Sequence, residues 1–82
     1  MKDDEINPEH YKSDPSGVEC IEITEHRDFC IGNAIKYLWR AGLKVSTVPV
    51  ADEITDLRKA IWYIERKIKL LEAKLLEARA KD

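Results

Sequence analysis

The clearest pattern of hydrophobic and polar positions lies in the C-terminal part of the chain. Between residues 50 and 80, apolar side chains recur at alternating intervals of four and three residues, with no Gly or Pro among them. This heptad spacing predicts one long α-helix with a narrow apolar stripe of the coiled-coil type. We call this stripe the apolar seam, and it consists of Val50, Ile54, Leu57, Ile61, Ile64, Ile68, Leu71, Leu75 and Ala78.

A second, shorter helix is predicted before it, over residues 28–43. Asp28 suits the N-cap position, and Gly42 suits the end of the helix. Proline restricts the preceding residue to extended geometry, so residues 45–49 form the connector and the long helix is expected to start after Pro49. The helical period predicts which side chains of the shorter helix face the core, namely Ile31, Ala34, Ile35, Leu38 and Ala41.

The N-terminal part of the chain lacks the helical periodicity of the C-terminal part. Residues 1–17 have the composition of a loop and are predicted to form an extended arm, with a strong turn signal at Asp14-Pro15-Ser16-Gly17. Residues 18–26 are predicted to form a short helix, with a β-strand as the alternative because Ile21, Ile23 and Thr24 are β-branched. The predicted fold is therefore all-α, with an arm and a short helix followed by a helical hairpin.

The lengths of the two hairpin helices predict self-association. A helix of thirty residues is about 45 Å long, and a helix of about fifteen residues covers only half of it. We therefore divide the chain into the arm (1–17), a helical domain (18–69) and a coiled-coil extension (70–82), and expect a homo-oligomer. The alternative is a monomer with a frayed amphipathic tail. The expected interface consists of Ile64, Ile68, Leu71 and Leu75.

The composition limits the class of protein. A chain of 82 residues forms one domain with a marginal core. It has no secretory signal and no run of about 18 apolar residues, so we expect a cytoplasmic protein that does not cross a membrane. Cys20 and Cys30 are then expected to be reduced, buried apolar residues. Together with His10 and His26 they match no ordinary zinc spacing, so no metal site is expected.

Charge is unevenly distributed. Residues 1–30 carry nine acidic and three basic side chains, whereas residues 31–82 carry seven acidic and eleven basic ones. A basic C-terminal part can bind an anion such as a nucleotide, and the alternative is an ordinary solvated helix face. No nucleic acid is expected as a partner. None of the three glycines lies in a GxxxxGK phosphate loop, so phosphate contacts would come from side chains on helices.

Helical spacing places two polar stripes where such contacts can form. One stripe on the shorter helix holds Asn33, Tyr37, Arg40 and Lys44, with Lys36 beside it. The other, on the long helix away from the seam, holds Asp52, Asp56, Lys59 and Tyr63. In a hairpin the two stripes can meet along one edge, and the residue pair His10-Tyr11 can reach the same edge from the arm.

Each residue type in these stripes suits part of a nucleotide. Arg and Lys neutralise phosphate. A base can stack on Tyr37, Tyr63, Trp39 or Trp62. Asp56 can hold Mg²⁺ or orient a basic residue. The alternative is a solvated hairpin with surface salt bridges, in which Arg40 pairs with Asp56 across the two helices.

Four segments carry a resemblance to a known family. They are NPEHY (7–11), GVECIEI (17–23), FCIGNAIKYLWRAGLK (29–44) and DLRKAIWYIERKI (56–68). Together they resemble a small bacteriophage family that has long been catalogued as a domain of unknown function. This family includes a phage nucleotide kinase that lacks a P-loop and forms large oligomers. The resemblance covers about residues 7–69.

The resemblance implies a phage-encoded nucleotide-binding protein of the host cytoplasm. Such a protein either phosphorylates nucleoside monophosphates or handles nucleotides without catalysis, and Mg²⁺ can accompany the nucleotide. One alternative is a sponge that sequesters cyclic nucleotide signals of host defence, and another is an oligomeric module that inhibits a host protein. Catalytic residues stay unknown. The expected nucleotide-binding residues are His10, Tyr11, Asn33, Lys36, Tyr37, Arg40, Lys44, Asp56, Lys59 and Tyr63. The same motifs also include Cys20, Glu22, Gly42 and Trp62.

Overall fold

The computed structural model describes residues 14–43 and 45–81. Over these residues the chain forms helix α1 (Cys20–Thr24), helix α2 (Phe29–Arg40) and helix α3 (Pro49–Ala80). No strand occurs in the described ranges, so the all-α prediction is confirmed and the strand alternative for residues 18–26 is wrong.

The turn and the short helix at the N-terminal end follow from local chemistry. The N–H of Gly17 donates to the carbonyl oxygen of Asp14 at 3.0 Å, which closes the predicted turn. Gly17 has φ +80°, a left-handed conformation that favours glycine. Helix α1 starts with a capping box between Glu19 and Glu22 and is shorter than the predicted range. Most of the predicted arm, residues 1–13, lies outside the described residues.

Helix α2 starts where its sequence predicts but ends at Arg40, before the predicted residue 43. Asp28 is the N-cap, and its Oδ1 accepts from the N–H of Ile31 at 2.9 Å. This bond satisfies one of the N–H groups that the first helical turn leaves without a partner. Ala41 leaves helical geometry with ψ 121°, and Gly42 then takes φ +81°, a conformation that favours glycine just beyond a helix end.

Helix α3 begins one residue earlier than predicted, because Pro49 is its first residue rather than the last residue of the connector. Proline is well suited to this position, since the N–H that it lacks would have no helical partner in the first turn. The helix then runs without a break through residues 69 and 70, where the sequence suggested the start of an extension. Its 32 residues extend about 48 Å and account for most of the 52 Å length of the molecule.

The α2–α3 hairpin packs through small side chains. The buried residues of this contact are Cys30 and Ala34 on α2, with Asp56 and Ala60 on α3. Small side chains allow two helices to approach closely. Near one end of the hairpin, Lys67 Nζ lies 2.7 Å from Asp28 Oδ2, so the N-cap residue of α2 is also tied to α3.

The larger apolar side chains are less buried than the helical period predicts. Leu38 was expected to face the core but is 51% exposed, while Ile31 and Ile35 are only half-buried. The reason is that α2 turns its small residues, rather than its large ones, toward α3. Ile31, Ile35 and Leu38 instead line an open apolar groove of about 300 Å³ against Ile64 and Ile68 of α3.

The apolar seam of α3 is largely exposed. Its side chains from Val50 to Leu75 are between 40% and 72% exposed. None of these side chains is buried, so the expectation that α2 covers half of the long helix does not hold for the seam. Helix α2 packs mainly on the neighbouring stripe that contains Asp56 and Ala60, and it meets the seam only along the open groove at Ile64 and Ile68.

Both cysteines are buried free thiols, as predicted. Desolvation by burial raises the pKa of the Cys20 thiol above its ordinary value, although a hydrogen bond from Thr24 and the charge of Lys36 act in the opposite direction. None of the helices in residues 14–43 and 45–81 is long and apolar enough to cross a membrane. The same residues contain no group of three or more His, Cys, Asp or Glu side chains placed to hold a metal ion.

Candidate functional site

Aromatic rings from α2 and α3 form a cluster on one edge of the hairpin. The rings of Tyr37 and Tyr63 stack across the two helices, with centroids 5.8 Å apart and planes 14° from parallel. Phe29 and Trp62 meet Tyr63 edge to face, at centroid distances of 6.0 and 5.0 Å. Trp62 is 60% exposed, so the cluster presents an open aromatic surface as well as a helix contact.

Two lysines lie against this cluster. Lys36 Nζ is 4.6 Å from the centroid of the Tyr37 ring, and Lys59 Nζ is 5.3 Å from the same centroid. At these distances each ammonium is attracted to the ring by a cation–π interaction. Lys36 comes from α2 and Lys59 from α3, so two positive charges from different helices converge on one tyrosine. We call Lys36, Tyr37, Lys59, Trp62 and Tyr63 the aromatic–lysine surface.

An open depression of about 290 Å³ lies on this surface, lined by Tyr37, Lys59, Trp62 and Tyr63. Its walls are therefore three aromatic rings and one ammonium group. The rings offer apolar area on which a planar group can stack. The ammonium offers a charge that can bind an anionic group. The depression thus combines the two kinds of contact that a nucleotide requires.

An ion pair beneath this surface joins the two helices. Arg40 Nε donates to Asp56 Oδ2 at 3.2 Å, and only 15% of the Arg40 side chain and 4% of the Asp56 side chain are exposed. The Arg40 guanidinium also lies 5.7 Å from the Tyr37 centroid, on the inner side of the cluster. The pairing of Arg40 with Asp56 across the hairpin, which the sequence suggested as an alternative, is therefore present. Asp56 is engaged in orienting a basic residue.

A second depression, of about 220 Å³, lies where α1 meets the start of α2. Asn33 lines it together with Lys36, Arg27 and Asp28. The Asn33 side-chain amide donates to the carbonyl oxygen of Phe29 at 2.8 Å. Asn33 therefore lies apart from the depression that Tyr37 and Lys59 line, although the helical period places it on the same stripe. Lys36 stands between the two depressions.

The structure thus brings together six of the ten residues expected to bind nucleotide. Three others, His10, Tyr11 and Lys44, lie outside the described residues, and Asn33 belongs to the second depression. The six that converge are Lys36, Tyr37, Arg40, Asp56, Lys59 and Tyr63.

Two aromatic residues differ from the sequence-based expectation. Phe29 was not selected, although it lies four residues before Asn33 and eight before Tyr37, a spacing that places all three on one side of α2. Trp39 was considered as a stacking residue, but it lines a different depression with Asp14 and Ile35. Its indole Nε1 is buried and has no hydrogen-bond partner among the described residues.

Comparison with known proteins identifies the family. Residues 6–65 match the family described as a protein of unknown function (DUF3310), and because the match spans most of the chain, the protein belongs to this family. No curated protein and no solved structure matches the chain. The matched range contains α1, α2, the connector and the half of α3 that carries Asp56, Lys59 and Tyr63.

Proposed function

We propose that this protein binds a nucleotide on the aromatic–lysine surface. The observation that carries the proposal is the convergence of Lys36 and Lys59 on the stacked pair of Tyr37 and Tyr63. A solvated helix face needs no aromatic rings, and a structural aromatic contact needs no ammonium groups around it. The combination on one accessible surface suits a ligand with a flat ring at one end and negative charge at the other.

The assignment of contacts follows from position and exposure. A base stacks on Trp62 or on the exposed edge of the tyrosine pair, a contact worth about 1–3 kcal/mol. Lys59 and Lys36 neutralise the phosphate as point charges on flexible stems. Arg40, one of the residues expected to bind nucleotide, instead holds α2 and α3 together through Asp56 in this proposal. This arrangement sets the positions of Tyr37 and Lys59 relative to each other.

Asp56 does not fit a Mg²⁺ site of its own. The residue is 3% exposed, and its Oδ2 accepts a hydrogen bond from Arg40. Any Mg²⁺ would accompany the phosphates of the nucleotide.

The binding experiment uses a thermal-shift screen followed by calorimetric titration. A ligand that binds only the folded state raises the unfolding midpoint, so nucleoside monophosphates, triphosphates and cyclic nucleotides are screened first. Replacing Lys59 with Ala should weaken the best ligand about five-fold, the scale of an exposed ion pair. Replacing Trp62 with Ala should weaken it by about five-fold or more, because a stacking contact is lost.

A matched control is available on the same helix. Lys69 is exposed and lies outside the aromatic–lysine surface, so Lys69→Ala makes the same change of charge without touching the depression. We expect it to leave affinity unchanged. If Lys59→Ala and Lys69→Ala behave alike, or if none of the nucleotides shifts the midpoint, binding at this surface is wrong.

What the protein does with the nucleotide follows from two further measurements. In keeping with the resemblance to the phage nucleotide kinase, phosphoryl transfer from ATP to a nucleoside monophosphate would mark an enzyme. Release of intact nucleotide after heat denaturation, without turnover, would mark sequestration, including that of cyclic signals used in host defence. Binding of a host protein in place of nucleotide would mark an inhibitor.

We further propose that the protein self-associates through the apolar seam of α3. A contiguous stripe of this length is unusual on the surface of a monomer and marks an interface. The seam continues into the apolar groove between α2 and α3. Light scattering at micromolar concentration should give a mass well above the 9.5 kDa of one chain, and a monomeric mass would exclude self-association.

A further inference from the structure

Charged side chains along the two flanks of the apolar seam limit how a second copy can pack there. In heptad notation, Ile54, Ile61, Ile68 and Leu75 occupy the a positions, and Val50, Leu57, Ile64 and Leu71 occupy the d positions. The e flank then consists of Ala51, Arg58, Glu65, Glu72 and Arg79. The g flank consists of Glu53, Ala60, Lys67, Lys74 and Lys81.

The central residues of the e flank face solvent. Arg58 and Glu65 are both exposed, and no ion pair joins either of them to another side chain in residues 14–43 or 45–81. Lys67 on the g flank is already paired with Asp28 of its own chain. A partner helix can therefore offer opposite charges to Arg58 and Glu65, whereas Lys67 already has an opposite charge beside it in Asp28.

We propose that two copies pair their α3 helices in antiparallel orientation. The register is defined by the facing seam residues, whose residue numbers add up to 125 in every pair. The proposal deepens the self-association proposed above and rests on it. Ile61 then faces Ile64 of the second copy, and Leu57 faces Ile68. Farther out, Ile54 faces Leu71 and Val50 faces Leu75. Each layer therefore joins an a position to a d position, as antiparallel packing requires.

This register makes the flanks complementary. In an antiparallel pair the e flank of one helix lies beside the e flank of the other, and the two g flanks lie together on the opposite side of the seam. Residues at e positions therefore meet e residues, and residues at g positions meet g residues. Arg58 meets Glu65 of the second copy, and Glu53 meets Lys74, each twice by symmetry. Ala60, opposite Lys67 of the second copy in this register, is covered by α2 of its own chain, so Lys67 meets no charge there and stays available to Asp28. No two like charges face each other.

Neighbouring registers lack this property. Sliding the second copy by one heptad in one direction places Glu65 against Glu65 of the second copy, and sliding it in the other direction places Arg58 against Arg58. A parallel pair would bring Lys74 against Arg79. Ile at a and Leu at d also occur in parallel dimers, so the parallel pair is the competing arrangement that the test must separate.

The same register also covers the part of α3 that the hairpin leaves bare. Residues 49–76 of one helix overlap residues 49–76 of the other, a paired length of about 42 Å. Leu71 and Leu75, which α2 does not reach, then pack on Ile54 and Val50 of the second copy, beside its α2 helix.

A charge-swap experiment tests the register, with the dissociation constant measured by analytical ultracentrifugation at low salt. Arg58→Glu places two carboxylates together twice per dimer and should weaken association about ten-fold. Combining Arg58→Glu with Glu65→Arg restores opposite charges and should return the dissociation constant to within about two-fold of the wild type. The weakening should shrink at high salt.

A control variant and three contrary outcomes make this test decisive. Arg66→Glu makes the same change of charge at an exposed position facing away from the seam and should have little effect. In a parallel pair, Arg58 faces Glu53 and Glu65 faces Ala60, so the double variant would stay weak and this register would be wrong. An Arg58→Glu variant as tight as the wild type would also overturn it. A monomeric wild type would overturn both the register and self-association, whereas a dimer without rescue would overturn the register alone.

Discussion

The ion pair of Arg40 and Asp56 is expected to be the largest single polar contribution to the stability of the hairpin. Replacing Arg40 with Ala removes the donor that lies 3.2 Å from Asp56 Oδ2. The carboxylate stays on a residue that is 3% exposed, where water cannot replace the lost partner. Removal of one member of a buried pair costs about 3–5 kcal/mol. Because small domains are stable by only about 5–15 kcal/mol, this is a large part of the total.

The magnitude can be read from urea denaturation followed by circular dichroism. Small proteins lose about 1–3 kcal/mol of stability per molar urea, so the midpoint of Arg40→Ala should fall by about 1 M or more. Wild type and variant must be compared at one protein concentration, because self-association adds to apparent stability. Replacing the pair with apolar residues, Arg40→Met with Asp56→Leu, leaves no buried charge and should recover most of the loss.

Two outcomes would refute this reasoning. If Arg40→Ala unfolds at the wild-type midpoint, Asp56 does not depend on Arg40. If the double variant is no more stable than Arg40→Ala, the loss does not come from a stranded carboxylate. A folded Arg40→Ala protein that keeps its stability and loses nucleotide affinity would instead place Arg40 at the phosphate, as the sequence alone suggested.

Two further predictions concern the ends of α2. The pKa of Asp28 is lowered by the Ile31 N–H and then by Lys67, so its stabilisation is present above the unfolded-state pKa and is lost as pH falls through the lowered folded-state pKa. The thermal unfolding midpoint of Asp28→Ala should therefore lie below that of the wild type at neutral pH and close to it in strong acid. Asp28→Asn, which keeps the cap, is the control. An equal difference in midpoint at both pH values would contradict this prediction. Gly42→Ala should cost about 1 kcal/mol in urea denaturation, because φ is +81° and a Cβ would lie 2.9 Å from Glu53 Oε1. Gly17→Ala, with φ +80° and open space around the Cβ, measures the backbone strain alone, and an unchanged midpoint in both variants would rule out that strain.

The ends of the helices could be predicted from the sequence because they depend on neighbouring residues. Asp28 caps α2 through an N–H three residues later, and Gly42, just beyond the last turn of α2, takes the positive φ that glycine favours there. Pro49 was misplaced by one position, since its effect on the residue before it was considered and its suitability as a first helical residue was not. Each of these effects acts within one turn of helix.

The faces of the helices could not be predicted in the same way. Helical spacing defines several possible stripes on α3, and the choice among them depends on which stripe fits α2. The helical period correctly selected Ala34, but it also selected Leu38, which is exposed, and it did not select Ala60, which is buried. Gly32 was a signal that went unused. A Cβ there would lie 3.4 Å from the carbonyl oxygen of Thr24, so Gly32 marks the point where α1 approaches α2.

For the candidate site, the sequence predicted which side chains share a stripe on each helix, and the structure shows how the two stripes meet. Spacing alone placed Tyr37 with Arg40, and Lys59 with Tyr63, on polar stripes that meet in a hairpin. It could not distinguish the buried basic residue from the exposed ones. Arg40 lies inside and Lys59 outside because the α2–α3 contact passes through Asp56, and this depends on how the two helices are rotated about their axes.

Helix α3 therefore presents three faces with different roles, and their separation has a testable consequence. Ala60 and Asp56 face α2, the seam faces the proposed second copy, and Lys59 and Trp62 point away from the seam. A ligand on the aromatic–lysine surface would leave the seam free, and assembly would leave the depression open. Lys59→Ala should then weaken nucleotide binding without changing the dissociation constant of the dimer, and Arg58→Glu, one residue away, should do the reverse. If either substitution changed both measurements equally, the two proposed surfaces would not be independent, and the side-by-side placement of ligand and partner on one helix would be wrong.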